Sequence, residues 1–193
     1  MIGNLKNQIV KEVFTKEEME LIYDYMNSAK EENFNFHPSL GHKAFWIGMP
    51  QSIQDKVLSV AQQYSDVPLK LTEVSAARYA NGYVCPPNLY PHIDFFETPR
   101  FTFDVQLKST RNWTIVVEHE PFILRDNEAV LFSGTNQVHW REKTTFRDDD
   151  IIDMLFCHFS EDSENPETNS EEFKTEILKR EQDLRDLYYK DQL

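Results

Sequence analysis

From residue 69 to residue 160 the sequence is a succession of strand-length runs with no helix-length stretch between them, and this pattern constrains the fold more than any other feature. Over 69–79, Leu71, Val74 and Ala76 stand among polar residues, and the run ends at the turn signal Ala80-Asn81-Gly82. Further strands are expected near 101–107, 113–118, 121–124, 129–133, 138–141 and 151–159. Polar breaks such as Ser109-Thr110-Arg111-Asn112 and Arg125-Asp126-Asn127-Glu128 separate them. A parallel sheet needs long crossover connections, usually helical, and none is present, so the pattern points to an antiparallel sandwich or jelly roll.

Helical periodicity is confined to the two ends. Ile9-Val10-Lys11-Glu12-Val13-Phe14 alternates like a short strand. Thr15 then stands three residues before Glu18, a capping-box pattern, ahead of Met19, Leu21, Ile22, Tyr25 and Met26, which predicts a helix over 16–30. Residues 33–48 show no clean period, so that stretch is read as irregular or as holding a short strand around Ala44-Phe45-Trp46-Ile47. A second helix is expected after Pro50, carrying Ile53, Val57, Leu58, Val60 and Ala61 and stopped by Ser65-Asp66-Val67-Pro68. Residues 160–171 read as a solvated linker, and Phe173, Ile177, Leu178, Leu184 and Leu187 predict a C-terminal helix over 172–189. With 193 residues, one domain of α+β, mainly β class is expected: helical support over 1–68, core strands over 69–160, linker and helix over 161–193.

The formal charge of −13 argues against a nucleic-acid partner, which needs a basic face. Cys85 and Cys157 are the only cysteines and lack metal-ligand spacing, so two reduced thiols are expected. The N-terminal residues lack the apolar core of a signal peptide, and no run approaches a membrane span. The expectation is a cytoplasmic protein without a membrane partner.

The chemistry is concentrated in Tyr90-Pro91-His92-Ile93-Asp94 and in His139 of the run Gly134-Thr135-Asn136-Gln137-Val138-His139-Trp140-Arg141. In a strand, residues i and i+2 project from one face, so His92 and Asp94 would point at one spot. A second imidazole completes a set of two neutral nitrogens and one carboxylate. Such a set leaves a divalent iron with residual positive charge and about three open positions. Phe95, Phe96, Trp140 and the loop 83–90 flank these residues and could line an entrance. His37, His42, His119 and His158 lack a comparable partner pattern and are assigned surface or core roles, although His158, in Phe156-Cys157-His158-Phe159, could sit near the barrel.

This order of residues resembles the Fe(II)/2-oxoglutarate-dependent dioxygenases, within them the prolyl-4-hydroxylase-like group. The resemblance spans most of the chain: the helix opening at Thr15-Lys16-Glu17-Glu18, the strand Ala77-Arg78-Tyr79 with Gly82 beyond, His92-x-Asp94, a strand carrying Gln106, and the distal His139. It implies a double-stranded β-helix (jelly-roll) core with the N-terminal helices packed on it. It also implies His92, Asp94 and His139 as iron ligands, and 2-oxoglutarate and O2 as co-reactants. The implied reaction couples decarboxylation of 2-oxoglutarate to succinate and CO2 with hydroxylation of an unactivated C–H bond, on a small-molecule or peptidyl substrate, with a tilt toward a peptidyl or free amino acid. Tyr79 and Gln106 match family positions near 2-oxoglutarate.

The family also places a basic residue at the start of the last core strand, where it meets the distal carboxylate of 2-oxoglutarate. Here Ile151 falls near that position behind Asp148-Asp149-Asp150. Two candidates stand in for it. Arg141, two residues after His139, shares its inward face if the strand continues, whereas Arg147 is nearer in sequence but in an expected loop; Arg141 is preferred. The departure keeps a second reading open, a jelly-roll binding module without turnover. A zinc hydrolase fits less well, because no glutamate or histidine base accompanies the ligands at helical spacing.

Overall fold

The structure, a computed structural model, describes residues 6–37, 41–45, 48–82, 86–94, 101–162 and 170–191. Strand β1 (Gln8–Lys11) leads into helix α1 (Lys16–Ser28), and the capping box forms as the sequence predicts: Glu18 N–H donates to Thr15 Oγ1 at 3.2 Å and Thr15 N–H to Glu18 Oε2 at 2.7 Å. The helix stops two residues short of the expected end because Ala29 turns extended. A hairpin follows, β2 (Phe34–His37) with β3 (His42–Phe45), held partly by an edge-on contact between Phe34 and Phe45. It lies earlier than the strand expected around residues 44–47, of which Trp46 and Ile47 fall outside the described residues. Helix α2 (Gln51–Gln62) buries Ile53, Val57 and Ala61, residues four apart on one face.

The remaining elements are β4 (Leu69–Ala80), β5 (Phe101–Ser109), β6 (Ile115–Val117), β7 (Glu120–Phe122), β8 (Glu128–Phe132), β9 (His139–Arg141), β10 (Ile151–Glu161) and α3 (Glu171–Tyr189). They build two antiparallel sheets, a large one in the order β1-β8-β5-β10-β4-β3-β2 and a small one in the order β7-β6-β9. The architecture is a jelly roll with helices outside it. Strand β10 runs on to Glu161, where the sequence suggests a linker, because Ser160 and Glu161 pair with Lys70 and Leu69.

Both faces of the large sheet are covered, which is why its central strands read as near-continuous apolar runs. One face packs Phe103, Val105, Leu107, Leu155, Cys157 and Phe159 against Ile22, Met26, Ile53 and Val57 of the two helices. The other face sends Tyr79, Val130, Phe132, Ile152 and Met154 toward Ile115, Val117, Phe122 and Leu124, closing the interior of the roll. Helix α3 covers the outside of the small sheet, where Ile177, Leu184 and Tyr188 meet Val116, Val138 and Trp140. Leu178 and Leu187, expected to face inward, are 48% and 37% exposed, and Tyr188 takes the buried place instead. Trp140 is committed to the α3 contact and so does not line an entrance. Cys157 is a free, buried thiol, while Cys85, Phe95 and Phe96 lie outside the described residues. Among the described residues, no helix is long and apolar enough to cross a membrane.

Candidate metal centre and its cavity

The expected strand around His92 does not form. The segment 89–94 is instead laid alongside residues 134–141 by four backbone hydrogen bonds. Arg141 N–H donates to Leu89 O (2.9 Å), His92 N–H to His139 O (3.0 Å), His139 N–H to His92 O (2.9 Å), and Asp94 N–H to Gly134 O (2.8 Å). Only His92 and His139 make a true bridge. The alternation of the motif nevertheless survives: His92 and Asp94 line the interior cavity, and Ile93 packs away from it among the α3 contacts. On β9, likewise, His139 and Arg141 are buried on the inner side of Trp140.

One ligand-capable atom from each of His92, Asp94 and His139 lies within 4.8 Å of the others. The two rings are 4.2 Å apart between centroids, and His139 Nε2 is 3.7 Å from Asp94 Oδ1. Each imidazole is set by its second nitrogen, since His92 Nδ1 lies 2.9 Å from Tyr90 O and His139 Nδ1 lies 3.2 Å from Gln137 O. A carbonyl can only accept, so both Nδ1 atoms carry the proton and both Nε2 lone pairs face the cavity, the arrangement a bound metal requires. Burial, then the neighbouring His92, hold the His139 imidazole well below its ordinary pKa, so it is neutral and ready to donate its lone pair. Burial opposes the charge on Asp94, but His139, His158 and His92, with a 2.7 Å hydrogen bond from the Thr102 hydroxyl, outweigh it and keep the carboxyl below its usual range. The donor set therefore fits a divalent iron.

Gly134 sits against this carboxylate, and a Cβ there would lie 1.7 Å from Asp94 Oδ2 and 2.3 Å from Thr102 Oγ1. The cavity has a volume of about 120 Å³, and Tyr79, Leu89, Phe156, His42, Thr102, Asp104 and His158 complete its wall around the triad. His42, assigned a surface or core role from the sequence, thus belongs to the site, and so does His158, for which the sequence leaves a place near the barrel open. His158 Nε2 is 3.9 Å from Asp94 Oδ2, and its Nδ1 is 3.7 Å from Glu73 Oε2. Thr102 and Asp104 were not singled out from the sequence either. The signal was present in β5, where Thr102, Asp104 and Gln106 alternate with Phe101, Phe103, Val105 and Leu107: a strand buried on both faces that carries a polar stripe has a polar interior to serve.

The four residues expected to hold a cosubstrate are placed differently from one another. Tyr79 is buried in the wall, with its phenol pushed up by burial. Arg141 is 1% exposed and lies near it. One guanidinium N–H donates to Trp113 O at 2.6 Å, another reaches Met154 Sδ at 3.5 Å, and the group sits 4.8 Å from the Trp113 ring centre. No carboxylate among the described residues is ion-paired to it, although Tyr79 and Asp104 are near enough to act on its charge. A buried guanidinium without a counter-charge is expensive; Arg141 lies beside Tyr79 and Asp104, just behind the cavity lining and not on it. Gln106, also buried, donates its amide to Leu124 O at 2.9 Å and does not line the cavity. Arg147 is exposed in the turn that precedes β10.

No protein-family model matches this sequence, and no curated protein does. Its fold does match solved structures. The non-heme α-ketoglutarate-dependent epimerase SnoN from nogalamycin biosynthesis is similar over 80% of this chain and 77% of its own, with a TM-score of 0.65 at 12% identity. A prolyl hydroxylase from Trichoplax adhaerens, in complex with a hypoxia inducible factor peptide fragment, is similar over 81% of this chain and 84% of its own (TM-score 0.58, 12% identity). HygX from Streptomyces hygroscopicus, with nickel and 2-oxoglutarate bound, is similar over 78% and 81% of the two chains (TM-score 0.57, 11% identity). At these identities the likeness is one of fold: this chain shares the jelly roll of those three structures.

Proposed function

We propose that this protein is an Fe(II)- and 2-oxoglutarate-dependent oxygenase whose metal is held by His92, Asp94 and His139. The observation that carries the reading is the pair of imidazoles with Nδ1–H tied to backbone carbonyls and Nε2 turned toward one carboxylate. When bound, iron with 2-oxoglutarate and O2 supplies the oxidising power to functionalise an unactivated C–H bond, the oxo acid being converted to succinate and CO2. The chain's own task is to hold and to exclude. Two neutral imidazoles and one carboxylate leave a divalent ion with a net positive charge and about three open positions, enough for a chelating oxo acid and one further ligand. The apolar wall of Leu89 and Phe156, closed behind by Tyr79 and Trp113, keeps bulk water from those positions.

Arg141, buried beside Tyr79 without a counter-charge, is the cation for the distal carboxylate of the oxo acid, while Arg147 and Gln106 take no part. Arg141 answers the absence of a basic residue on β10. Ile152 and Met154 occupy the inward positions there, and the guanidinium arrives from β9 to lie against Met154. This compensation favours an active enzyme over a jelly-roll module that has lost turnover. The reaction on the substrate is a hydroxylation, and the substrate a small molecule or an amino-acid side chain, free or peptidyl. The test is anaerobic addition of Fe(II) and then 2-oxoglutarate to the purified protein. A visible charge-transfer band, followed by succinate on admitting O2, is the expected result; neither band nor succinate overturns the reading.

A further inference from the structure

Asp104 is neither one of the three candidate metal ligands nor paired with a neighbour. It is 4% exposed, lines the cavity, and its Oδ1 is buried without a hydrogen-bond partner. Its place along the cavity follows from strand register. On β5, Thr102, Asp104 and Gln106 pair with His158, Phe156 and Met154 of β10, in that order. Thr102 and His158 stand beside Asp94 at the metal end, and Met154 touches Arg141 at the other. Asp104 therefore stands on β5 at a level between them. A linear dicarboxylate that chelates the metal and reaches Arg141 must run past it.

Charge decides in what form Asp104 meets that ligand. A divalent metal, the Asp94 carboxylate and the Arg141 guanidinium sum to two positive charges, which a 2-oxo dicarboxylate cancels. An ionised Asp104 would then be a buried, unpaired charge beside a dianion, a costly arrangement. We propose that Asp104 binds the cosubstrate as a neutral carboxylic acid, donating its O–H to the oxo acid between the metal and Arg141. The inference rests on the oxygenase reading and deepens it. The carboxyl is already pushed up to about 7, by burial and then by Asp94, against the opposing pull of His158 and Arg141. The Tyr79 phenol in the cavity wall and the Cys157 thiol on the far face of β10 are held neutral by burial, and the His42, His92, His139 and His158 imidazoles share the cavity, His158 being shifted up, against the pull of burial, by Glu73 and the two aspartates. Burial thus favours the donating form, which rising pH removes.

The test is calorimetric binding of 2-oxoglutarate to the Ni(II)-loaded protein, without turnover, from pH 6 to 8.5. Wild-type affinity should fall with rising pH, approaching about tenfold per unit, as one linked proton requires. Asp104→Asn, neutral at every pH and still a donor, should keep the pH 6 affinity and lose the slope. Asp104→Ala should bind at least about fivefold more weakly at pH 6. Wild-type affinity in Asp104→Ala, or an unchanged pH slope in Asp104→Asn, overturns the inference. If the alanine protein does not fold, the slope of the asparagine protein decides alone. Failure of the wild-type holoprotein to bind 2-oxoglutarate at any pH would sink the oxygenase reading instead.

Discussion

Gly134→Ala is the substitution that most directly tests how the carboxylate arm of the metal centre is held. The added Cβ would lie 1.7 Å from Asp94 Oδ2, whereas ordinary van der Waals contact begins at 3.4 Å, so one partner must retreat by 1.7 Å. Asp94 has little freedom to do so. Its N–H is bound to Gly134 O at 2.8 Å, on the residue that carries the new methyl, and its Oδ2 accepts from Thr102 at 2.7 Å. Metal–ligand distances tolerate only about 0.2 Å, so a shift of this size removes the carboxylate from the coordination sphere. Losing a partner that merely orients a ligand costs roughly 10- to 100-fold in metal affinity, and loss of the ligand itself should reach at least about 100-fold. Titration of Ni(II) or anaerobic Fe(II) into the apo-protein measures this directly. Gly48→Ala, where a Cβ meets nothing within 4 Å, serves as the control and should bind as wild type. A folded Gly134→Ala protein that binds metal within about threefold of wild type would refute the reasoning, since it would mean that Asp94 is not held where the metal must sit.

Three further outcomes are expected. Arg141→Met should weaken 2-oxoglutarate binding by at least about 30-fold, the loss of a charge-assisted hydrogen bond, while leaving Ni(II) affinity intact; Arg147→Ala, at an exposed turn, should change neither, as equilibrium dialysis would show. Arg78→Met should destabilise the fold by about 3 kcal/mol in urea unfolding, because it strips the bidentate partner (2.6 and 2.9 Å) from Asp153, whose side chain is 1% exposed; the figure is at the low end for such pairs because Arg78 itself is 31% exposed. Thr15→Ala should cost about 1 kcal/mol through loss of the α1 cap, with no effect on either ligand.

The local features of this chain were written in its sequence because they depend on residues a few positions apart. The Thr15/Glu18 cap, the one-face spacing of Ile53, Val57 and Ala61, the period-two strands and the paired direction of His92 and Asp94 all follow from backbone geometry within a single segment. So does the shared inward face of His139 and Arg141. What tertiary structure alone decided is who meets whom across the roll. The register of β5 on β10 sets Asp104 opposite Phe156 in the cavity wall. The closeness of the two sheets brings the β9 guanidinium against Met154, and the approach of segment 89–94 leaves room only for hydrogen where Gly134 stands. His42 and His158 join the site by the same means, from strands with no sequence link to the motif. Periodicity tells which side of a strand a residue takes, but the distance between strands far apart in the chain is set by how the packed layers close, and the chemistry of this cavity is decided at that distance.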